Sequence, residues 1–215
     1  MSGASTVDTK SSLTSTVVVG VLVAVIPLIV GYIVTFVDGA RKDELTTVNR
    51  QIEKLYGPLY ALTQANDVTW EHFSKVYWPN HSRYYFDPKQ PPTLEQVAQW
   101  RMWMKTVFQP LNLQITNIIV SNSQLIVGSA MPKPFQEVIA QTESYIAIIA
   151  SWSDSDSKNL ESFRSPAANT VTGINYPNDL SSCVKKTYVL LKERQQRLES
   201  AFLSGLSPKA IGPIC

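Results

Sequence analysis

An uninterrupted apolar run near the N-terminus constrains this chain more than any other feature. Residues 17–37 contain no charged side chain and are rich in Val, Leu and Ile. As a helix rising about 1.5 Å per residue, the run is roughly 30 Å long, which matches the hydrocarbon core of a bilayer. Pro27 lies mid-span, where membrane helices tolerate proline better than helices in water do. We predict a transmembrane helix over residues 16–38, after a disordered tail over residues 1–15.

A cleaved signal peptide and a buried core helix are the two alternatives to a membrane span. A signal peptide has a shorter apolar core, about 7–15 residues long, and ends at a small-x-small cleavage site. Residues 37–40, Val-Asp-Gly-Ala, form a poor site of this kind. A helix of this length in a soluble core would carry a polar face. Both alternatives fit the run less well than a span does.

Basic residues beside the span predict the side of the membrane on which the rest of the chain lies. One of them, Lys10, precedes the span. Four follow it within about 20 residues: Arg41, Lys42, Arg50 and Lys54. Because cytoplasmic flanks carry the excess of Lys and Arg, we expect a C-terminal domain on the cytoplasmic side of a bacterial inner membrane. The thiols of Cys183 and Cys215 would then be reduced.

Composition excludes several classes of protein. The chain has 215 residues, of which 44% are apolar and 10% aromatic, and this is too many rings for wholesale disorder. A net charge of +2 does not indicate binding to nucleic acid. Two cysteines are too few for a disulfide framework. No phosphate loop, nucleophile elbow or metal-ligand spacing occurs, so we predict no cofactor, no metal site and no catalytic residues.

Helical periodicity dominates residues 39–204. A first apolar seam with 3-4 spacing consists of Leu45, Val48, Ile52, Leu55, Leu59 and Leu62. Thr93 and Gln96 form a capping box before a second face, which consists of Val97, Trp100, Met104, Val107, Leu111, Ile115 and Ile118. Pro58 and Pro110 interrupt these two helices, and we expect a kink at Pro58 and a kink or a break at Pro110.

Two further helices complete the predicted bundle. The third face consists of Phe135, Val138, Thr142, Tyr145, Ile149 and Trp152. The last face consists of Leu180, Val184, Thr187, Leu191, Leu198 and Phe202. No strand pattern of comparable length occurs. We therefore predict an all-α chain, in which one N-terminal transmembrane helix precedes an up-and-down bundle of about four helices over residues 39–204. Residues 205–215 read as a C-terminal tail.

Aromatic side chains are concentrated in a loop that proline residues bound. Pro79 and Pro88 mark the segment, and rings there suit either packing or a partner surface. We predict partner binding by Trp78, Tyr84, Tyr85 and Phe86. Basic side chains suit anionic headgroups, although on the last helix an ordinary solvated face fits them better. The candidates for the membrane surface are Arg41, Lys42, Lys185, Lys186 and Lys192.

Two segments resemble a group of uncharacterised bacterial single-pass membrane proteins. Residues 52–62 read IEKLYGPLYAL and match a LYGPL signature, and residues 100–112 read WRMWMKTVFQPLN and match a WRxWMxxVFxPLN signature. The two motifs occur in the same order as in that group. The resemblance implies a bacterial origin and a helical domain behind one span. It transfers no activity and no site residue.

A membrane-tethered helical interaction module, such as a scaffold or an accessory subunit, fits these features best. Its expected partners are the lipid bilayer and a protein, and nucleic acid is not expected. One alternative is an enzyme that acts on a membrane-proximal substrate. That enzyme would need Glu53, Glu71, His72 and Arg101 to converge in one pocket. The other alternative is a periplasmic-facing binding domain in the reverse topology.

Overall fold

Helices form the whole of the secondary structure in a computed structural model that describes residues 10–78, 92–152 and 175–200, with side chains from residue 28 onwards. Within these ranges there are four continuous helical stretches and no strands. The α-helices are α1 (Lys10–Gln51), α2 (Gly57–Tyr77), α3 (Leu94–Trp103), α4 (Gln109–Ser121), α5 (Lys133–Ser151) and α6 (Leu180–Ser200). The prediction of an all-α helical bundle is confirmed.

The first helix begins at Lys10. Residues 10–15, which we expected in a disordered tail, are therefore helical, and residues 1–9 lie outside the described part. About half of the predicted span, residues 16–27, lies where the structure describes the helix but not the side chains. Across the residues whose side chains are described, no helix is both long enough and apolar enough to cross a bilayer. The C-terminal tail over residues 205–215 also lies outside the described ranges.

The described residues divide into two compact units. One comprises residues 10–46 with residues 197–200, and the other comprises the described residues between 47 and 196. In the first unit, the guanidinium of Arg41 donates to the carbonyl of Leu198 at 3.1 Å. The same guanidinium donates to the Asp38 carboxylate at 3.0 Å. Arg41 therefore fastens the last turn of α6 to α1.

A π-helical turn precedes each of the two prolines that interrupt the long helices. The turn over Ile52–Tyr56 joins α1 to α2, and the turn over Met104–Phe108 joins α3 to α4. In a regular α-helix the ring of Pro58 would press on the carbonyl four residues earlier. Instead, the N–H of Gly57 donates to the carbonyl of Ile52, five residues earlier. Neither helix ends in a loop at its proline, because a wider turn accommodates the ring.

Each π turn holds one extra residue and shifts the buried face of the following helix. The sequence predicts Val107 in the second turn and Leu111 and Ile118 in α4 on the core face, and these are only half-buried. The buried residues from the end of the turn onwards are Phe108, Gln109, Asn112, Ile115, Thr116 and Ile119. The α2 face moves in the same way, because Thr63 is fully buried while Leu62 is half-buried. Those α4 predictions assumed an unbroken 3.6-residue period, and they were wrong by one residue.

Several other local predictions are confirmed. The Thr93 hydroxyl accepts from the Gln96 N–H while the Gln96 side chain accepts from the Thr93 N–H, so the capping box starts α3. The core residues of α5 include Phe135, Val138, Thr142 and Tyr145. The core residues of α6 include Leu180, Val184, Thr187, Leu191 and Leu198. Phe202 lies outside the described ranges.

In the second unit, α6 runs antiparallel to α2 and to the end of α1. The Gln64 amide donates to Ser181 at 2.8 Å, and the rings of Tyr60 and Tyr188 stack at 5.0 Å. Nearer the start of the unit, the Gln195 amide donates to Asn49 at 2.8 Å. Residue numbers therefore rise along α6 as they fall along α2 and the end of α1.

Candidate functional site

One large cluster of rings forms part of the core of the second unit. Its buried members are Phe73, Trp78, Trp100, Met104, Phe108 and Tyr145. Packed against them are Trp70, Tyr77, Trp103, Ile148, Ile149 and Trp152. The cluster joins the end of α2 to α3, to the start of α4 and to the end of α5. It contains all five tryptophans of the chain.

Phe73 lies at the centre of this aromatic cluster and is fully buried. Its ring centroid is 5.4 Å from that of Trp103 and 5.6 Å from that of Trp70. The Phe108 ring meets Phe73 edge-on at 5.8 Å. Tilted and edge-to-face pairs at these distances add stability beyond the burial of their area. The arrangement is that of a structural core.

Trp100 extends the cluster towards α5. Its centroid is 5.4 Å from that of Trp152 and 6.3 Å from that of Tyr145. The guanidinium carbon of Arg101 lies 5.4 Å from the Trp152 centroid, within the range of a cation–π contact. Burial raises the pKa of Tyr145 to about 12. Tyr145 is therefore a neutral core residue at physiological pH.

The predicted partner-binding residues do not all lie on an exposed loop. Trp78 is the C-cap of α2 and is only 4% exposed, inside the aromatic cluster. This corrects the expectation that its ring is presented to a partner, because the ring already packs against the core. Tyr84, Tyr85 and Phe86 lie outside the described residues. Partner binding through that loop now depends on these three rings.

The predicted membrane-surface residues differ in their availability. Lys42 is 68% exposed and pairs with Asp38 at 2.7 Å. Arg41 is partly buried by its contacts with Asp38 and Leu198. In the second unit, the side chains of Lys185 and Lys186 are exposed, whereas Lys192 is half-buried and donates to Gln195. Lys42, Lys185 and Lys186 are therefore the residues most open to an anionic surface.

The helix just before Asp38 carries apolar side chains on every side. Each side chain in this set is at least 42% exposed: Leu28, Ile29, Val30, Tyr32, Ile33, Val34 and Phe36. Nine residues make about two and a half turns, so the whole circumference is apolar. The Thr35 hydroxyl donates to the carbonyl of Gly31 at 2.9 Å. This bond satisfies the hydroxyl within the helix itself.

The residues that an enzyme would need do not converge. Glu53, Glu71 and His72 are exposed, and Glu71 pairs with Lys75 at 2.6 Å. The hydrogen bond from Lys75 lowers the pKa of Glu71. Glu53 and Glu71 are 18 positions apart along one helical stretch, which is roughly 27 Å. In the part of the chain that the structure describes, no three potential metal ligands group together.

Sequence reasoning missed several buried polar residues. Arg194 is only 3% exposed, although its charge indicates a surface position. It follows Leu191 by three positions and precedes Leu198 by four, so it lies on the same face of α6 as these two buried residues. This spacing was the signal in the sequence that could have identified it. Between α4 and α5, the Gln109 amide donates to the Thr142 carbonyl at 2.9 Å. The extra residue in the π turn shifts the buried face of α4 by one position, so the sequence pattern did not predict this polar layer.

The expected reduced thiols are a further correction. Cys183 is disulfide-bonded and is 4% exposed on α6. It precedes the buried Val184 on the core side of the helix. The burial of Cys183 matches the core position that the helical spacing indicates, but its oxidation state does not match a cytoplasmic thiol.

The described residues therefore present two notable features. One is the apolar helix surface from Leu28 to Phe36, which charged residues follow, and the other is the aromatic cluster around Phe73. Neither contains an arrangement of a nucleophile and a base. No protein-family model, no curated protein and no solved structure matches this chain.

Proposed function

We propose that this chain is a membrane-tethered helical interaction module, a scaffold or an accessory subunit of a bacterial cell membrane. The observation that carries the proposal is the fully apolar circumference of the helix between Leu28 and Phe36. Leaving a large apolar side chain in water instead of burying it costs about 1.5–3 kcal/mol. Seven such side chains within nine residues, each 42–73% exposed, amount to roughly 6–12 kcal/mol. Lipid or a second protein removes that cost.

Lipid suits this helix because the Thr35 hydroxyl is satisfied inside it, through its bond to the Gly31 carbonyl. The other hydroxyl, on Tyr32, belongs to an aromatic ring of the kind that meets the headgroups at the end of a span. Charged residues begin at Asp38, where Asp38 pairs with Arg41 and Lys42. An apolar cylinder followed by a charged turn is the pattern of a helix that leaves the hydrocarbon core for the headgroups. The apolar run back to Val17 supplies the rest of the span.

A protein partner is supported by exposed apolar residues on the second unit. Val68 and Val76 on α2 are 66% and 52% exposed and lie two turns apart. On α4, Leu113 and Val120 are 40% and 55% exposed and are also two turns apart. Residues seven or eight apart share a helix face, so each pair can form a row against a partner. Tyr84, Tyr85 and Phe86 remain candidates for the same role.

A binding domain outside the cytoplasm is the second candidate function. The count of Lys and Arg around the span favours a cytoplasmic bundle. The disulfide of Cys183 favours the opposite side, because disulfides persist in oxidising compartments. In both versions the chain binds a partner while a single helix anchors it.

Membrane extraction tests the anchor. We expect the full-length chain, produced in a bacterium, to resist extraction by alkaline carbonate. The double variant Ile29→Arg/Ile33→Arg should lose that resistance, since each Arg near the middle of a span costs about 2.5–3.5 kcal/mol. The matched control is Val68→Arg/Val76→Arg, which changes equally exposed residues on α2 and should stay in the membrane. A wild-type chain that carbonate extracts completely would refute the anchor.

Co-purification in mild detergent tests the interaction. We expect a protein that co-purifies with the full-length chain in stoichiometric amount. If α4 carries the interface, the variant Leu113→Arg/Val120→Arg should reduce recovery of the co-purifying protein. If α2 carries it, Val68→Arg/Val76→Arg should do so instead. Repeated recovery of the chain alone, after cross-linking in cells, would contradict an interaction module.

A further inference from the structure

A layer of uncharged polar side chains, which we call the polar layer, lies in the core between α4 and α5. None of its members is more than 6% exposed: Gln109, Asn112, Thr116, Gln141 and Thr142. The Gln109 amide donates to the Thr142 carbonyl at 2.9 Å, and the Asn112 amide donates to the Gln141 side-chain oxygen at 3.5 Å. Residues 109, 112 and 116 share one face of α4, so the polar layer extends roughly 10 Å along that helix.

Four oxygen atoms of the polar layer have no hydrogen-bond partner among the described residues. They are the side-chain oxygens of Gln109, Asn112, Thr116 and Thr142. A buried polar atom that stays unpaired gives up its hydration without a replacement bond, and protein cores therefore pair nearly all such atoms. Four of them at one helix interface indicate a polar ligand that these side chains share.

The two threonines of the polar layer differ from other buried threonines of the bundle. The hydroxyls of Thr63 and Thr187 donate to the carbonyl four residues earlier, at 2.8 and 3.0 Å. Any threonine in a helix can make this bond. The hydroxyls of Thr116 and Thr142 do not make it. Both are therefore available to a partner inside the polar layer.

The chemistry of the polar layer fits water better than a metal ion. Its oxygens belong to amides and hydroxyls, and no buried residue of α4 or α5 carries a charge. Divalent cations in proteins are held largely by carboxylates, which are not present among these buried residues. The hydroxyls of the layer can donate as well as accept, and water does the same. At 3.5 Å, the contact between Asn112 and Gln141 is also longer than an ordinary N–H···O bond.

We propose that the polar layer binds ordered internal water, and that these water molecules bridge α4 and α5. A buried water makes about three hydrogen bonds, so about two molecules satisfy the four oxygens. Each water donates to the amide oxygens of Gln109 and Asn112 and exchanges hydrogen bonds with the threonine hydroxyls. The proposal concerns the bundle alone and does not depend on the membrane anchor.

Nuclear magnetic resonance of the full-length chain in mild detergent detects such water directly. We expect rotating-frame Overhauser transfer from water to the side-chain amide protons of Gln109 and Asn112, with the sign of dipolar contact and not that of proton exchange. The two amide signals are identified by their loss in Gln109→Met and Asn112→Leu. The double variant Thr116→Val/Thr142→Val should weaken the transfer. Its absence from both amides of the wild-type chain would overturn the proposal.

Replacing the threonines by an apolar side chain of the same shape gives a second readout. If water bonds to their hydroxyls, Thr116→Val and Thr142→Val should each lower the Tm by roughly 1–6 °C. The matched control is Thr187→Val, which removes a hydroxyl that is bonded to the Cys183 carbonyl and should cause a similar loss. Removing a hydroxyl that has no partner stabilises a core instead, so a higher Tm in both variants would overturn the proposal.

The cation of the buffer distinguishes water from a monovalent ion, which amide and hydroxyl oxygens also suit. The Tm of the wild-type chain is measured in potassium chloride, sodium chloride and N-methyl-D-glucamine chloride at equal ionic strength. Bound water predicts the same Tm in all three salts. A bound ion stabilises the folded chain increasingly with its concentration, so a Tm that rises with potassium or sodium alone would assign the polar layer to that ion and overturn the proposal.

Discussion

Replacing Gly57 with alanine tests whether the π turn before Pro58 is as tightly closed as its geometry indicates. A Cβ atom at this position would lie 2.6 Å from the carbonyl oxygen of Ile52 and 3.8 Å from a ring carbon of Tyr188. Since real Cβ atoms essentially never approach another atom within 3.0 Å, the backbone of the turn must move. Overpacking of this kind costs about 1–3 kcal/mol.

The helical preference of alanine over glycine works in the opposite direction. It is worth about 1 kcal/mol in a helix interior. We therefore expect Gly57→Ala to lose up to about 2 kcal/mol of unfolding free energy, which corresponds to a Tm lower by up to roughly 8 °C. Tryptophan fluorescence of the full-length chain in mild detergent is a suitable assay, because all five tryptophans belong to the aromatic cluster.

Gly39→Ala is the matched control. Gly39 lies in α1, and a Cβ there would meet nothing within 4 Å. The same substitution should therefore cause no loss of stability. If Gly57→Ala unfolds at or above the wild-type temperature, the close approach to Ile52 is not a constraint and the reasoning about this turn is wrong.

Three further predictions follow from the core and the caps. Trp78→Ala should lower the free energy of unfolding by about 3–5 kcal/mol, because it removes a buried ring. If urea unfolding shows no change beyond experimental error, the ring does not pack in solution. Between pH 9 and pH 11 the folded state should lose about 1 kcal/mol of stability through Tyr145. Its pKa is raised to about 12 in the folded state and lies near 10 in the unfolded state, so the unfolded state ionises first. Tyr145→Phe should flatten that pH dependence, and an unchanged slope would contradict the assignment. Thr93→Ala should cost about 1 kcal/mol through loss of the capping box, whereas Thr93→Ser, which retains a hydroxyl at the N-cap, should cost little by the same assay.

Local sequence patterns were sufficient for much of the fold. The Thr93–Gln96 capping box and the apolar faces of α5 and α6 were predictable because their signals lie within one or two turns. The face of α4 was not predictable in this way. It depends on how the helix accommodates Pro110. The sequence is compatible with either a kink or a wider turn at this proline, and the two place different residues on the buried face.

The candidate site was less predictable than the fold. Trp78 lies next to Pro79, and proximity to proline indicated a loop, but the side chain packs back onto the cluster. Arg194 carries a charge, which indicated the surface, although its position between Leu191 and Leu198 is a core position. In each case a long-range contact overrides a local tendency.

The two π turns are equivalent to single-residue insertions within otherwise regular helices. Deleting one residue from Ile52–Tyr56, together with Pro58→Ala, would leave a regular helix whose later residues still face the core. The same deletion within α5 would rotate every later side chain by about 100° and turn the core face towards solvent. Single-residue changes in length are normally confined to loops. In this chain the two long helical stretches each contain one interior position where such a change is compatible with the fold.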